Sequence, residues 1–163
     1  MAKVTFENRT VVVTGAGNGL GKAYALDLGA RGAKVVVNDL GGAVDGSGSG
    51  STPADEVVNE IIANGGEAVA NYDSVATREG GESIIQTAID NFGTVDAVVN
   101  NAGILRDKSF ANMSEEELSL IIDVHLKGTF YVSQPAFKVM KENAYGRIAV
   151  SYTHLTLPTI LLV

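Results

Sequence analysis

The stretch TVVVTGAGNGLGKAYALDLGARGAKVVVND, residues 10–39, decides the fold. Its first five residues, TVVVT, form a β-branched run that stops at glycine, which is how a strand buried on both faces of a parallel sheet reads. From Gly19 to about Ala30, Leu20, Ala23, Leu26 and Ala30 recur at helical spacing, and Gly32 ends that helix before a second buried run, AKVVVND. A strand, a helix and a further strand follow one another without a break.

The same alternation continues outward. Residues 41–52, GGAVDGSGSGST, have the composition of a linker. Thr52 as N-cap and Pro53 as first helical residue restart the structure, so the stretch reads as a surface loop inside one domain. A helix from Ala54 to Asn64 leads to a strand at Glu67 to Ala70. A second helix, Glu79 to Phe92, carries Ile84, Ile85, Ala88, Ile89 and Phe92 on one face, and Gly93 closes it. DAVVNNAG, Asp96 to Gly103, is a fourth strand with its turn. Ser114 and Glu117 form a capping box that opens a long helix toward Asn143. Pro135 inside it should kink or split the helix, because proline lacks an N–H and crowds the preceding turn. GRIAV, Gly146 to Val150, is a fifth strand. Buried strands alternating with helices imply a doubly wound parallel α/β sheet, with ligands at the carboxyl ends of its strands.

Composition excludes several function classes. With 163 residues the chain has room for one domain. No Cys and two His leave no disulfide framework, no thiol nucleophile and no metal site built from soft ligands. A net charge of −7 repels nucleic acid. MAKVTFENRT lacks the charged start and apolar core of a signal peptide. The most apolar run, Leu155 to Val163, is too short to span a bilayer and contains Pro158. No membrane span is expected.

TGAGNGLG, Thr14 to Gly21, follows the first strand directly and has the spacing TGxxxGxG at Gly15, Gly19 and Gly21; Leu20 breaks the alternative GxGxxG counted from Gly15. Glycine at position 19 would let a diphosphate reach the amides at the helix N-terminus, where the dipole favours anions. Turn glycines without a ligand are the alternative. Asp39 stands 24 residues after Gly15, where a carboxylate can accept hydrogen bonds from ribose hydroxyls and repel a 2′-phosphate. That favours NAD over NADP, as does the absence of a basic residue at Asn18. An Asp39 that merely caps the turn in NDLGG is the alternative. Asp73, followed by Ser74 and Val75, falls where an adenine amino group would be received, or it is a solvated loop aspartate.

NNAG, Asn100 to Gly103, ends the fourth strand. Together with Thr14, Gly15, Gly19, Gly21 and Asp39 it makes the sequence resemble the short-chain dehydrogenase/reductase family. The resemblance implies a Rossmann-like sheet, a strand-steadying role for Asn101, and close approach of the cofactor to Ala102 and Gly103. VVVNDLGG (35–42), VANYDSV (69–75), NNAGILRDKSF (100–110) and DVHLKGTF (123–130) are further similar to that family's NAD-dependent (3R)-hydroxyacyl-CoA dehydrogenase domains of peroxisomal fatty-acid β-oxidation. This similarity runs from about Phe6 to Ile148, roughly half of such a domain. It implies an acyl-CoA-type substrate and a homodimer paired through the long helix. It also implies a peroxisomal location, although the chain ends in LLV without a targeting signal. His125 stands where most members carry the Asn of a proton relay; a packed helix residue is the alternative.

The resemblance then stops. Hydride transfer in the family uses a Tyr, a Lys four residues later and a Ser. The residues four after Tyr24, Tyr72, Tyr131, Tyr145 and Tyr152 are Leu28, Ala76, Pro135, Ala149 and Thr156, and the last Lys is Lys141. No YxxxK exists in the chain. The family serine would fall at Thr153, two residues beyond Ser151. No catalytic residue is therefore expected intact, and the sheet is expected to be incomplete, with about five strands and the family's last strands and helices missing. VSYTHLTLPT, Val150 to Thr159, back-translates to GTCTCTTATACACATCTGACGCTGCCGACG, which resembles a transposon-type sequencing adapter. Residues 1–149 are thus expected to be the cofactor-binding part and 150–163 a non-native tail. The fifth strand is expected to be an unpaired edge beside exposed apolar surface, lowering solubility. A noncatalytic NAD-binding module, or a family member acting on a steroid or ketoacyl thioester, are the alternative functions.

Overall fold

β1, Thr10–Thr14, is buried along its whole length at the centre of a five-stranded parallel sheet. The computed structural model describes residues 4–41, 52–106 and 109–151; the loop at 42–51, the Thr52 side chain and residues 152–163 lie outside the described residues. After β1 come α1 (Gly19–Ala30), β2 (Lys34–Asn38), α2 (Thr52–Ala63), β3 (Glu67–Asn71), α3 (Arg78–Phe92) and β4 (Ala97–Asn100). Then follow α4 (Glu115–Ile122), a π-helical segment (Asp123–Lys127), α5 (Gly128–Glu142) and β5 (Arg147–Val150). The strand order is β3-β2-β1-β4-β5. The order reverses beside β1, and the crevice between β1 and β4 opens at the carboxyl ends of the strands.

The uninterrupted valines of β1 and β2 follow from this layering. Val11, Val13, Val35 and Val37 pack with Ala25 of α1 and with Val57 and Ile61 of α2. Val12, Val36 and Val98 point the other way, onto Ile84 and Ile85 of α3 and Val132 and Ala136 of α5. Successive side chains of a strand alternate between faces, so helices on both faces demand apolar residues at every position.

The long helix behaves differently from the sequence expectation. The Ser114–Glu117 capping box is present, but α5 runs unbroken through Pro135. The departure from α geometry lies upstream, in the π segment. Proline at 135 deprives the Tyr131 carbonyl of its helical N–H donor. That carbonyl lies against Gly81 of α3, where a Cβ would come within 2.5 Å of both Tyr131 C and O. The two helices meet backbone to backbone, and this packing tolerates the missing bond. In the π segment Lys127 pairs with Asp123 at 2.7 Å, and the hydrogen bond to Asp123 raises the Lys127 pKa.

β5 has all four residues exposed and pairs with β4 alone among the described residues. Among those residues no helix is long and apolar enough to cross a membrane. α5 ends on Ala144 at φ 52°, with the Tyr145 N–H donating to Met140 O at 3.0 Å. This is the left-handed position that glycine fills without a Cβ penalty. Ala144→Gly is expected to stabilise the fold by about 0.5–1 kcal/mol, seen as a rise of roughly 1–4 °C in a thermal melt.

Candidate functional site

The chain leaves β1 into a loop that is stitched to the turn after β4. Thr14 Oγ1 accepts the N–H groups of Asn101 and Ala102, both at 3.0 Å. Asn101 Nδ2 donates to Thr14 O at 3.2 Å and to Gly15 O at 3.0 Å. The two sides of the crevice are thereby held in register. Gly15 has φ 61°, and a Cβ on it would lie 2.7 Å from the Ala102 backbone. Gly21 supports the loop from beneath: a Cβ there would meet Gly15 O at 2.1 Å and Asn101 Nδ2 at 2.5 Å.

Gly19 is the reverse case. Its φ is 55°, yet nothing lies within 4 Å of where its Cβ would be, so it faces open space at the N-terminus of α1. Asn18, extended and exposed, makes no side-chain cap, and the first turn of α1 contains no acidic residue. Leu20 beside them is also exposed. Helix N-terminal amides without a side-chain acceptor, opening on a space that a Cβ would fill, suit an anionic group such as a diphosphate.

Asp39 stands half-buried just beyond β2. Its Oδ2 accepts the Gly17 N–H at 2.8 Å and its Oδ1 the Gly41 N–H at 2.8 Å. The turn cap read from NDLGG is therefore present, and each oxygen retains acceptor capacity toward the crevice. Asp73 is tied into its own turn, its Oδ2 accepting from Asn71 Nδ2 at 2.9 Å and Ser83 Oγ at 2.7 Å. Ser74 Oγ accepts the Ala76 N–H at 3.2 Å, and Val75 is buried beside Gly128 in the α3–α5 layer. Tyr72 donates to Asp55 Oδ1 at 2.5 Å, which raises the Tyr72 pKa.

Sequence reasoning missed Gly17, Asn38 and Asn71. The two asparagines are buried at the ends of β2 and β3, where Asn38 Nδ2 donates to Asn71 Oδ1 at 2.8 Å and to Asp73 O at 2.9 Å. A signal existed: KVVVN and EAVAN each close an apolar strand on the same amide residue.

His125 is exposed in the π segment rather than packed in a helix face. Its Nε2 lies 3.0 Å from both Ile104 N and Ile104 O, and the missing side chain of Gly103 makes room for the ring, since a Cβ there would fall 2.8 Å from Cε1. His125 thus braces the turn that follows Asn101–Gly103. Asn101 Oδ1 is buried with no hydrogen-bond partner among the described residues, a free acceptor at the edge of the crevice. The Ser151 N–H donates to Asn100 O at 2.9 Å, while Thr153 lies outside the described residues. Among the described residues no three His, Asp or Glu side chains converge to hold a metal.

The chain is similar to a short-chain type dehydrogenase/reductase of Mycobacterium tuberculosis, with 57% identity over 145 residues, covering 89% of this chain and 51% of that protein. It is 56% identical over 146 residues to the peroxisomal multifunctional enzyme type 2 of Mus musculus, covering 90% of this chain and 20% of that protein. This chain therefore spans about half the length of the first relative and a fifth of the second. A solved 7α-hydroxysteroid dehydrogenase, complexed with NADH and 7-oxo glycochenodeoxycholic acid, superposes with a TM-score of 0.81 at 29% identity, covering 90% of this chain and 53% of that one. The short chain dehydrogenase family model matches residues 9–152, across the glycine loop, Asp39, the NNAG turn and His125, and the chain belongs to that family.

Proposed function

We propose that this chain is the NAD-binding part of an oxidoreductase that converts (3R)-hydroxyacyl-CoA to 3-ketoacyl-CoA in peroxisomal fatty-acid β-oxidation. The observation that carries the reading is the open face of Gly19 before the α1 N-terminus, flanked by Asp39 on one side and the stitched Thr14–Asn101 turn on the other. In this assignment Gly15, Asn18, Gly19 and Leu20 face the diphosphate, with Gly21 packed beneath them. Asp39 takes the adenosine ribose, Asp73, Ser74 and Val75 border the adenine, and Asn101, Ala102 and Gly103 border the nicotinamide half. NAD, when bound, supplies the hydride acceptor. The Asp39 carboxylate disfavours a 2′-phosphate by charge. His125, at the relay position, holds the Ile104 backbone and keeps the nicotinamide-side turn in place. The substrate and the peroxisomal location rest on the resemblance of residues 100–110 and 123–130 and on the similarity to the mouse enzyme.

The missing YxxxK favours a second reading for the chain as written, binding of NAD without turnover. In the domain reading residues 1–149 form the cofactor part and 150–163 a non-native tail; source codons that differ from the adapter string would overturn it. Titration by protein-enhanced NADH fluorescence is expected to show NADH bound at least about tenfold more tightly than NADPH, with no oxidation of a 3-hydroxyacyl-CoA by this chain. A preference for NADPH would refute the cofactor assignment.

The proposed homodimer has a surface to use. Leu118, Ile122, Leu126 and Phe130 are exposed at four-residue intervals along α4, the π segment and α5, followed by exposed Phe137. Such a stripe of large apolar side chains marks an association surface. Sedimentation velocity is expected to show a dimer that Phe130→Glu weakens at least about tenfold; a monomer at all concentrations would exclude the pairing.

A further inference from the structure

Gly17 has no part in the phosphate assignment above, yet it is the residue of the glycine loop seated most closely against β2 and α2. Its N–H donates to Asp39 Oδ2 at 2.8 Å. A Cβ on it would lie 2.7 Å from Pro53 Cβ and 2.8 Å from both Asp39 Cγ and Oδ2. The other carboxylate oxygen holds the Gly41 N–H at 2.8 Å, and the Asp39 N–H donates to Asn71 O at 3.0 Å. One side chain therefore joins the loop after β1 to the turn after β2, and its own backbone is anchored to β3. Hydrogen bonds to a carboxylate are short and strong, and two on one group fix its rotamer.

We infer that Asp39 is a positioning residue for the diphosphate-facing turn as well as the proposed ribose ligand. By drawing Gly17 against Pro53 it sets the path of Gly15–Gly19 before any cofactor arrives. This inference rests on the NAD reading and adds a specificity consequence to it. The carboxylate cannot swing away from a 2′-phosphate without breaking two hydrogen bonds. Neutralising it does not create an NADP site, because asparagine offers one acceptor oxygen for two backbone amides and turns its NH₂ toward the other.

The test separates the ribose contact from the clamp. Amide hydrogen exchange at Gly17 is followed by NMR in the cofactor-free chain, and affinities are measured for NADH and for an NADH analogue lacking the 2′- and 3′-hydroxyls of the adenosine ribose. In Asp39→Ala the Gly17 amide is expected to exchange at least about tenfold faster, and the analogue to bind about tenfold more weakly than to the unaltered chain. Unchanged Gly17 exchange in Asp39→Ala, or unchanged analogue affinity, would confine Asp39 to the ribose and overturn the inference. Gly17→Ala keeps Asp39 but wedges the clamp apart, so it too is expected to weaken the analogue about tenfold; an unaltered affinity would count against the clamp. If Asp39→Ala does not fold, Asp39→Asn carries the same exchange measurement at constant side-chain size. An unaltered chain that binds neither ligand refutes the NAD reading, while the exchange rates still decide the clamp.

Discussion

Gly21→Ala is expected to abolish measurable NADH binding, an affinity loss of at least about a hundredfold, and to cost about 1–3 kcal/mol of stability. The added methyl would sit 2.1 Å from Gly15 O and 2.9 Å from Gly15 C, with Asn101 Nδ2 at 2.5 Å. Two of these atoms are backbone and the third is held by hydrogen bonds to Thr14 O and Gly15 O, so no flexible side-chain tip can yield. Either α1 retreats from the sheet or the loop lifts, and both displace the helix N-terminus from the space before Gly19. Fluorescence titration with NADH and a thermal melt check the two effects. Gly65→Ala is the control: φ is 83° there but nothing lies within 4 Å of the added atom, so it should cost roughly 1–2 kcal/mol of strain and leave binding unchanged. Equal losses of binding in both variants would show that general destabilisation, not the loop contact, is responsible.

The second large effect is expected at the opposite end of the strands. Asp96, buried just before β4, accepts the Thr10 N–H at 2.8 Å and Arg9 NH1 at 3.0 Å, and its carbonyl accepts the Arg147 N–H at 3.0 Å. Arg9 also stacks on Tyr145, 3.7 Å from the ring centre. Asp96 thus joins the starts of β1, β4 and β5. Asp96→Ala strands a buried amide and loosens the arginine, and should destabilise by about 2–4 kcal/mol, a fall of roughly 5–15 °C in melting temperature. Asp96→Asn keeps one acceptor and should lose about half as much. NADH affinity of the folded fraction should change less than about threefold in either variant, because the crevice lies beyond the other ends of the strands. A drop of less than about 0.5 kcal/mol in Asp96→Ala would show that water replaces the carboxylate.

Much of this arrangement is legible in the chain because it is local. Buried strands read as TVVVT and KVVVN since both sheet faces are covered; the Ser114–Glu117 box and Gly93 mark helix ends because their hydrogen bonds close within one turn. The glycine spacing, Asp39 and NNAG locate the crevice for the same reason, each lying at the end of a recognisable strand. The interruption of the long helix was not legible. Pro135 draws attention as the breaker, but Gly81, more than fifty residues earlier, receives the Tyr131 carbonyl, and the irregular turn falls instead at Asp123–Lys127.

Hydrophobic period and turn chemistry are properties of a few neighbouring residues, so the amino-acid order alone determines the alternation of elements, the parallel doubly wound class and the family-bearing motifs. Which groups meet across the crevice is a property of strand order and register, and only the folded chain decides it. Thr14 Oγ1 finds the Asn101 amide 87 positions away because β4 lies beside β1, with Val11 opposite Ala97 and Val13 opposite Val99. The Gly17–Asp39 bond, the Asn38–Asn71 pair and the seat of His125 on Ile104 arise in the same way. Each requires two segments to arrive within about 3 Å, a distance set by how the layers pack and not by the residues on either side in the chain.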